Sequence, residues 1–341
     1  MTMAKNRITI RDLAGLSDVS TATVSRYIHR NGYVSKENAA KIERAIAQTG
    51  YNSSQTSSAS ASVNVIKNSN VIAVVATPSK RHTFLPRLTY ALAISAEAHG
   101  FHTMNIAMQP SNNSIQQIIN ICMSENVCGI IIADFQGREL SSDNKELLLH
   151  CGAPVVMVER GLCSELNSVK IDTKHGIYMS TKHLIETGRK NIHYFTAPLS
   201  SKVEEDRLAG FKEALAEEGN YSESAVHICD SMDADSCYSC LEQVFSKKDI
   251  PDGIVTWSDV YAVTALRFMY DHKISVPSEA AIIGYDDFLA PYAVPPLSSI
   301  HTPIEEMADS TINLIRHDLE SSEFYAQTVS FSPKLILRQT T

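Results

Sequence analysis

Nine apolar runs, most of four to seven residues, recur through residues 71–284, and helical patterns separate most of them. They read VIAVVA (71–76), HTMNIAM (102–108), GIIIA (129–133), PVVMV (154–158), SVKI (168–171), NIHYFT (191–196), AVHIC (225–229), GIVT (253–256) and AAIIG (280–284). Strands apolar along nearly their whole length are buried on both faces, and alternation with helices joins them in parallel. The intervening stretches 87–99, 206–217 and 261–272 have the spacing of amphipathic helices. Nine strands are many for one sheet, so the pattern predicts an α/β body of two doubly wound sheets with a cleft between them.

Ahead of that body, residues 1–51 follow a different rule. Thr9 caps a short helix from about Ile10 to Leu16 with Asp12 in its first turn, and Ser17-Asp18 make a turn. Ser20 caps a second helix through about Ile28, with Val24 and Ile28 on one face; Asn31-Gly32 ends it. Ser35 caps a third helix to about Thr49, with Ala39, Ile42, Ala45 and Ile46 as its apolar stripe and Gly50 as its stop. A short helix, a tight turn and a second helix fit a helix-turn-helix, whose second helix enters the DNA major groove. Helix geometry puts Thr21, Ala22 and Ser25 or Arg26 on the leading face; Arg26 can donate two bonds to guanine, and Thr21 and Ala22 can touch a thymine methyl.

Charge divides the same way. Residues 1–51 carry eight basic and four acidic residues, a net +4, whereas the whole chain stands at −8, leaving −12 for the remainder. A basic head on an acidic body suits a protein that meets a polyanion through its head alone. Between them lies NSSQTSSASASVN (52–64), a linker composition.

The stretch ITIRDLAGLSDVSTATVSRYIHRNGYVS (8–35) resembles the N-terminal headpiece of the lactose/galactose repressor family of bacterial regulators. Thr9, Ile10, Asp12, Ala14, Val19, Ser20, Thr23, Val24, Ser25 and Arg26 stand at the family's motif positions, with Leu13 for a Val and Ser17-Asp18 for Ala-Gly. The body carries further family-like segments, DRLAGF (206–211), IIGYDD (282–287) and PPLSSIHTPIEEM (295–307). The resemblance spans essentially the whole chain. It implies a homodimer that binds a near-palindromic double-stranded operator. The DNA-contacting residues are then Thr9, Ser20, Thr21, Ala22, Thr23, Ser25, Arg26, His29 and Tyr33. It also implies a body like the periplasmic sugar-binding fold, which would hold a small sugar-like effector. The organisation expected is a headpiece at 1–51, a Ser-rich hinge at 52–69 and a body at 70–341. Within the body, one subdomain takes 70–167 and 302–329, the other 168–301 and 330–341.

The chain also departs from the family pattern. Tyr51 is present, but Ser53, Ser54, Ser57, Ser58 and Ser60 stand where the family has the Pro, Asn, Ala, Arg and Leu of a DNA-ordered hinge helix. Serine disfavours helix and cannot act as an apolar wedge in the minor groove, so a flexible tether is expected. Asn38 and Ala39 replace a Thr-Arg pair that contacts phosphate in the family.

Ligands of open α/β sheets sit beyond the carboxyl ends of the strands. The segments there are TPSKRHTFL (77–85), DFQG (134–137), ERG (159–161), SSKVEEDR (200–207), WSD (257–259) and YDD (285–287). The effector candidates they supply are Thr83, Phe84, Asp134, Phe135, Glu159, Arg207, Trp257, Ser258 and Asp286. The resemblance gives Arg207 and Asp286 the clamping of ligand hydroxyls, an Arg fork and a carboxylate being suited to vicinal hydroxyls. Asp287 could instead be the structural member of its pair, and Arg207 could be an interdomain ion pair. Lys80, Arg81 and Lys202 could neutralise a phosphate, which keeps open a regulator sensing a nucleoside or sugar phosphate.

Other chemistries find little support. Cys237-x-x-Cys240 stands alone on a predicted helix, and His175 and His183 are two helical turns apart, so no metal is expected. Neither GxGxxG nor GxxxxGK[ST] occurs, and no cofactor or enzymatic activity is implied. Seven scattered cysteines fit reduced thiols. No apolar run reaches the ~18–20 residues of a membrane span, and the polar, basic N-terminus has no apolar signal segment. The expectation is a cytoplasmic transcriptional repressor of sugar-use genes, at the nucleoid when bound to its operator. A transport-type sugar-binding protein is the alternative, against which the basic head argues.

Overall fold

The computed structural model describes residues 10–29, 34–49, 69–78, 84–135, 139–160, 163–247, 250–321 and 323–341, and for some helical head residues the backbone alone. The chain divides into two compact units, Met1–Val63 and Asn64–Thr341. Linker residues 52–68 and the serines within them lie outside the described residues.

In the first unit, α1 (Ile10–Ser17), α2 (Thr21–His29) and α3 (Lys36–Thr49) form three helices. Leu13, Ala14, Val24, Ile42 and Ala45 form their core, with Val19, Tyr27, Val34 and Ile46 packed on it. Asp18 makes the turn between α1 and α2 at φ +50°. That is a left-handed conformation that Gly adopts freely and Asp tolerates through its short polar side chain. Val19 N–H then closes onto Ala14 O at 3.2 Å. Tyr27 Oη donates to Glu43 Oε1 at 2.5 Å and ties α2 to α3.

The second unit contains two six-stranded sheets. The first takes β1 (Val71–Ala76), β2 (His102–Ala107), β3 (Gly129–Ala133), β4 (Val155–Val158), β5 (Asn167–Ile171) and β11 (Thr328–Phe331). Its order is β11-β5-β4-β3-β1-β2, with every pairing parallel. The second takes β6 (Ile192–Thr196), β7 (Val226–Ile228), β8 (Gly253–Thr256), β9 (Ala281–Asp286), β10 (Ser298–His301) and β12 (Lys334–Ile336). Its order is β12-β10-β9-β8-β6-β7, and β12 is antiparallel to β10. All nine expected strands are present, with ends moved by one or two residues. The three unexpected ones, β10 to β12, are short; β10 begins on two serines, and no residue of β11 or β12 is fully buried.

Helices cover both faces of each sheet. On the first, α4 (Phe84–Ala98) and α11 (Ile304–Glu320) pack together. The other face holds α5 (Ile115–Ser124) and α6 (Ser142–Leu149). Ile304, Met307, Ala308, Thr311, Ile312 and Ile315 form the buried stripe of α11 at three- and four-residue spacing. On the second sheet, α9 (Ala234–Phe245) and α10 (Asp259–Asp271) lie opposite α7 (Thr173–Glu186) and α8 (Lys202–Glu217).

The helices begin earlier than the apolar spacing implies: α4 at Phe84, α8 at Lys202 and α10 at Asp259. Polar residues open α8 and α10, and Pro86 interrupts the start of α4. Ser201 caps α8 in a capping box with Glu204, so Arg207 stands in the second turn of its helix and not at the start. Subdomain boundaries shift as well. Asn167–Ile171 pairs with the first sheet and Thr328–Phe331 pairs with that same strand, so the chain crosses at 172 and 332–333 rather than at 167 and 329. The remaining crossing runs at 302–303, from β10 into α11. Among the described residues no helix is long and apolar enough to cross a membrane.

Candidate functional site: a cleft between two sheets and a helix-turn-helix

The carboxyl ends of β3, β4, β8 and β9 converge on one cavity of about 60 Å³. Phe84, Asp134, Glu159, Arg207, Trp257, Ser258 and Asp286 line it, seven of the nine residues expected to hold an effector. Leu85, Arg160, Ile171, Val203, Val260 and Thr302 also line it and were not expected. Phe135 is a correction. It is fully buried in the core cluster with Val75, Ile115 and Ile132, on the side away from the cavity lining. Thr83, Lys80 and Arg81 lie outside the described residues. Lys202 is another correction, for it is exposed and ion-paired with Asp206 one turn along α8, and it does not line the cavity.

Three of the lining carboxylates sit on left-handed backbone: Asp134 at φ +58°, Glu159 at +67° and Asp286 at +98°. Non-glycine residues rarely adopt that conformation, and it collects where structure is held for function. Here it turns each chain out of its strand while the side chain enters the cavity.

Arg207 is 8% exposed. Its guanidinium lies 3.8 Å from the Tyr285 ring centroid and 5.7 Å from that of Trp257. Nη1 donates to Trp257 O at 2.6 Å, while Nε is buried without a hydrogen-bond partner. Asp286 has no hydrogen-bond partner among the described residues. Burial pushes its carboxyl up to about 7, against the pull of Arg207. Asp287 is the structural member of the pair. Its carboxylate forms ion pairs with Arg338 Nη1 at 2.7 Å and with His301 Nδ1 at 3.3 Å, and its own N–H donates to Ser299 Oγ at 3.2 Å. Glu159 accepts Ile171 N–H at 2.8 Å, and burial raises its carboxyl to about 7 as well. Ser258 occupies the N-cap position of α10, yet its hydroxyl caps nothing. Ser258 Oγ and Thr302 Oγ1 are both buried without a partner.

Two glycines of the family-like segments have a physical reason. A Cβ on Gly284 would stand 2.5 Å from Asp259 Oδ1. Asp259 Oδ2 accepts the N–H groups of Phe288, Leu289 and Ala290, which fixes the loop behind Asp286. A Cβ on Gly210 would stand 2.1 Å from Lys174 O. Only glycine lets α8 approach the backbone of α7 so closely, and that approach places Arg207.

In the head, Ser20 caps α2: Thr23 N–H donates to Ser20 Oγ at 3.2 Å, and the two hydroxyls lie 2.8 Å apart. Thr21 is exposed, and Thr23 and Ser25 are half-buried. Ala22, Arg26 and His29 lie on α2, where their backbone alone is described, and Thr9 and Tyr33 lie outside the described residues.

The comparisons with known proteins divide along the same units. Residues 9–54 match the model of bacterial regulatory proteins of the lacI family, and residues 181–341 match the periplasmic binding protein-like domain. The chain is 27% identical over 337 residues to the HTH-type transcriptional repressor PurR of Actinobacillus pleuropneumoniae, covering 97% of this chain and 98% of that one. Its fold is similar to that of the transcriptional regulator CelR in complex with cellobiose, at TM-score 0.70 and 23% identity over 98% of this chain and 100% of that one. It is equally similar to the lac repressor dimer bound to operator, at TM-score 0.70 and 19% identity, covering 98% and 99% of the two chains. With a helix-turn-helix head, a two-sheet body and relatives that match from end to end, the chain belongs to the lacI family of bacterial regulatory proteins.

Proposed function

We propose that this chain is a DNA-binding transcriptional repressor whose grip on its operator is set by a neutral, polyhydroxylated effector in the cleft. The observation that carries the effector class is the set of unpaired polar groups on the cavity wall. Arg207 Nε, Ser258 Oγ and Thr302 Oγ1 are buried without partners, and the Asp286 carboxylate stands among them. A buried polar atom left unpaired costs about 1–3 kcal/mol. A molecule carrying several hydroxyls, each both donor and acceptor, would satisfy all four. Charge argues against a phosphate. Among the described residues, four carboxylates, Asp134, Glu159, Glu204 and Asp286, stand around the guanidiniums of Arg160 and Arg207, and Arg160 is already taken up by two of the acids. CelR, similar in fold, is described in complex with cellobiose, a carbohydrate.

The DNA-facing residues are Thr9, Ser20, Thr21, Ala22, Thr23, Ser25, Arg26, His29 and Tyr33. Arg26 reads a base, and Ser20 orients α2. The protein acts as a dimer on an operator of two half-sites and works in the cytoplasm at the nucleoid; the lac repressor, similar in fold, is described as a dimer bound to operator. The Ser-rich segment serves as a tether between head and body.

A melting-temperature screen of the full chain tests the effector class. Neutral monosaccharides, their phosphates, disaccharides and nucleosides are compared at equal concentration. A neutral monosaccharide at a hundredfold over its Kd should stabilise by about 2.7 kcal/mol, a rise of several degrees for a body of this size. Stabilisation by phosphates or nucleosides alone would overturn the neutral-sugar reading.

A further inference from the structure

Arg160 lies in the cleft but is not placed to serve a ligand. It follows β4, in the subdomain of the first sheet. Its Nε pairs with Asp134 Oδ1 at 2.8 Å in that same subdomain. Its other two nitrogens cross the cleft. Nη2 donates to Glu204 Oε1 at 2.6 Å, and Nη1 donates to Ser201 Oγ at 2.9 Å and to Glu204 Oε2 at 3.3 Å. Ser201 and Glu204 begin α8 of the other subdomain. Glu204 is fully buried, and the side chains of Arg160 and Asp134 are 11% and 12% exposed.

This carboxylate–guanidinium–carboxylate chain consists of protein groups alone, and Arg160 and Glu204 are each held by a further contact to Ser201. Glu204 Oε2 also accepts from Ser201 N–H at 3.0 Å and from Ser201 Oγ at 2.5 Å. The capping box of α8 therefore doubles as the anchor for Arg160. Arg207, the cavity's other guanidinium, stands one turn further along the same helix. A buried ion pair contributes little net stability against apolar packing, but separating its partners leaves charge buried and unmatched. Opening the cleft must break this contact.

We propose that Arg160, Asp134 and Glu204 form a latch across the cleft, holding the two subdomains closed through contacts that need no effector, and that Arg160 is a positioning residue for α8 and Arg207. The latch sets how much of the closure the effector's own binding must supply. If the closed form is the binding-competent one, weakening the latch lowers apparent affinity by the fraction of closed form lost.

The chain's single tryptophan makes the test direct. Trp257 forms part of the cavity wall and is 6% exposed. Acrylamide quenching of its fluorescence in the full chain, with no ligand added, reads the opening of the cleft. The variants are Arg160→Met, Glu204→Gln and the double substitution. Glu204→Gln keeps a capping-box side chain and removes the charge. Small-angle scattering gives the radius of gyration as an independent readout, and far-UV circular dichroism confirms folding. The latch predicts a quenching constant at least doubled in each single variant, an increased radius of gyration, and a double variant no more open than the singles. If a single variant does not fold, the double variant, which leaves no charge unmatched between 160 and 204, carries the comparison. Wild-type quenching and radius in folded variants would overturn the latch. So would additive effects in the double variant, since additivity marks residues that act separately.

Discussion

Asp286 and Asp287 are neighbours with the same side chain and opposite roles. Asp287 holds Arg338 and the Ser299 hydroxyl; Asp286 faces the cavity with its carboxyl raised to about 7 by burial. That shift has a consequence for stability. The folded state keeps the proton to about pH 7, whereas an unfolded Asp loses it near pH 3.9. Between those values the folded state binds more protons, so stability falls as pH rises through the window, by up to about 1.4 kcal/mol per pH unit for this group. Glu159, raised by the same cause, adds to the slope. Melting temperatures of Asp286→Asn from pH 5 to 8 should therefore fall less steeply than wild type, and an unchanged slope would show that Asp286 is ionised throughout. At this scale the sequence was partly legible. Strand-end position and motif brought out Arg207, Asp286, Glu159 and Ser258. Arg160 and Thr302 lie in segments that the sequence marked but were not singled out within them: Arg160 becomes meaningful only when Glu204, 44 residues on, is folded against it. Phe135 misled because a residue two steps past the end of a strand can turn to either face.

At the scale of elements, the close contact of α7 with α8 shows where local and tertiary preferences disagree. In an isolated helix, Gly→Ala at position 210 would gain about 1 kcal/mol. Here the new Cβ would meet Lys174 O at 2.1 Å and Tyr178 N at 3.0 Å, both backbone atoms that cannot swing aside. Overpacking of this kind costs about 1–3 kcal/mol or more, so Gly210→Ala should lower the melting temperature and weaken effector binding by displacing Arg207. A melting temperature at or above wild type would mean that the helices separate without cost. The same tension explains which elements could be read from sequence. Apolar strands and amphipathic helices declared themselves by period. The first turns of α8 and α10 did not, because residues at helix starts are commonly polar, and the first turn of α4 was broken in the sequence by Pro86. Strands β11 and β12 were hidden because exposed edge strands carry little apolar signal; their partners lie about 160 and 35 residues away in sequence.

At the scale of the whole molecule, two sheets joined by three crossings and a helix-turn-helix joined by a serine-rich segment make a device for coupling ligand to DNA. The charge division, +4 at 1–51 and −12 beyond, leaves DNA contact to the head. The cleft can influence it only through a difference in effector affinity between two arrangements of the body. That coupling is the central claim, and operator affinity measures it. The full chain is titrated onto an operator selected from random duplexes, by fluorescence anisotropy, with and without the sugar that most raises its melting temperature. Wild type should change its operator affinity by about tenfold or more, within the usual range of allosteric coupling. Arg207→Ala should bind the operator like wild type but fail to respond to the sugar. A variant that responds as wild type does, or a wild type whose operator affinity is indifferent to every sugar that stabilises it, would contradict the account.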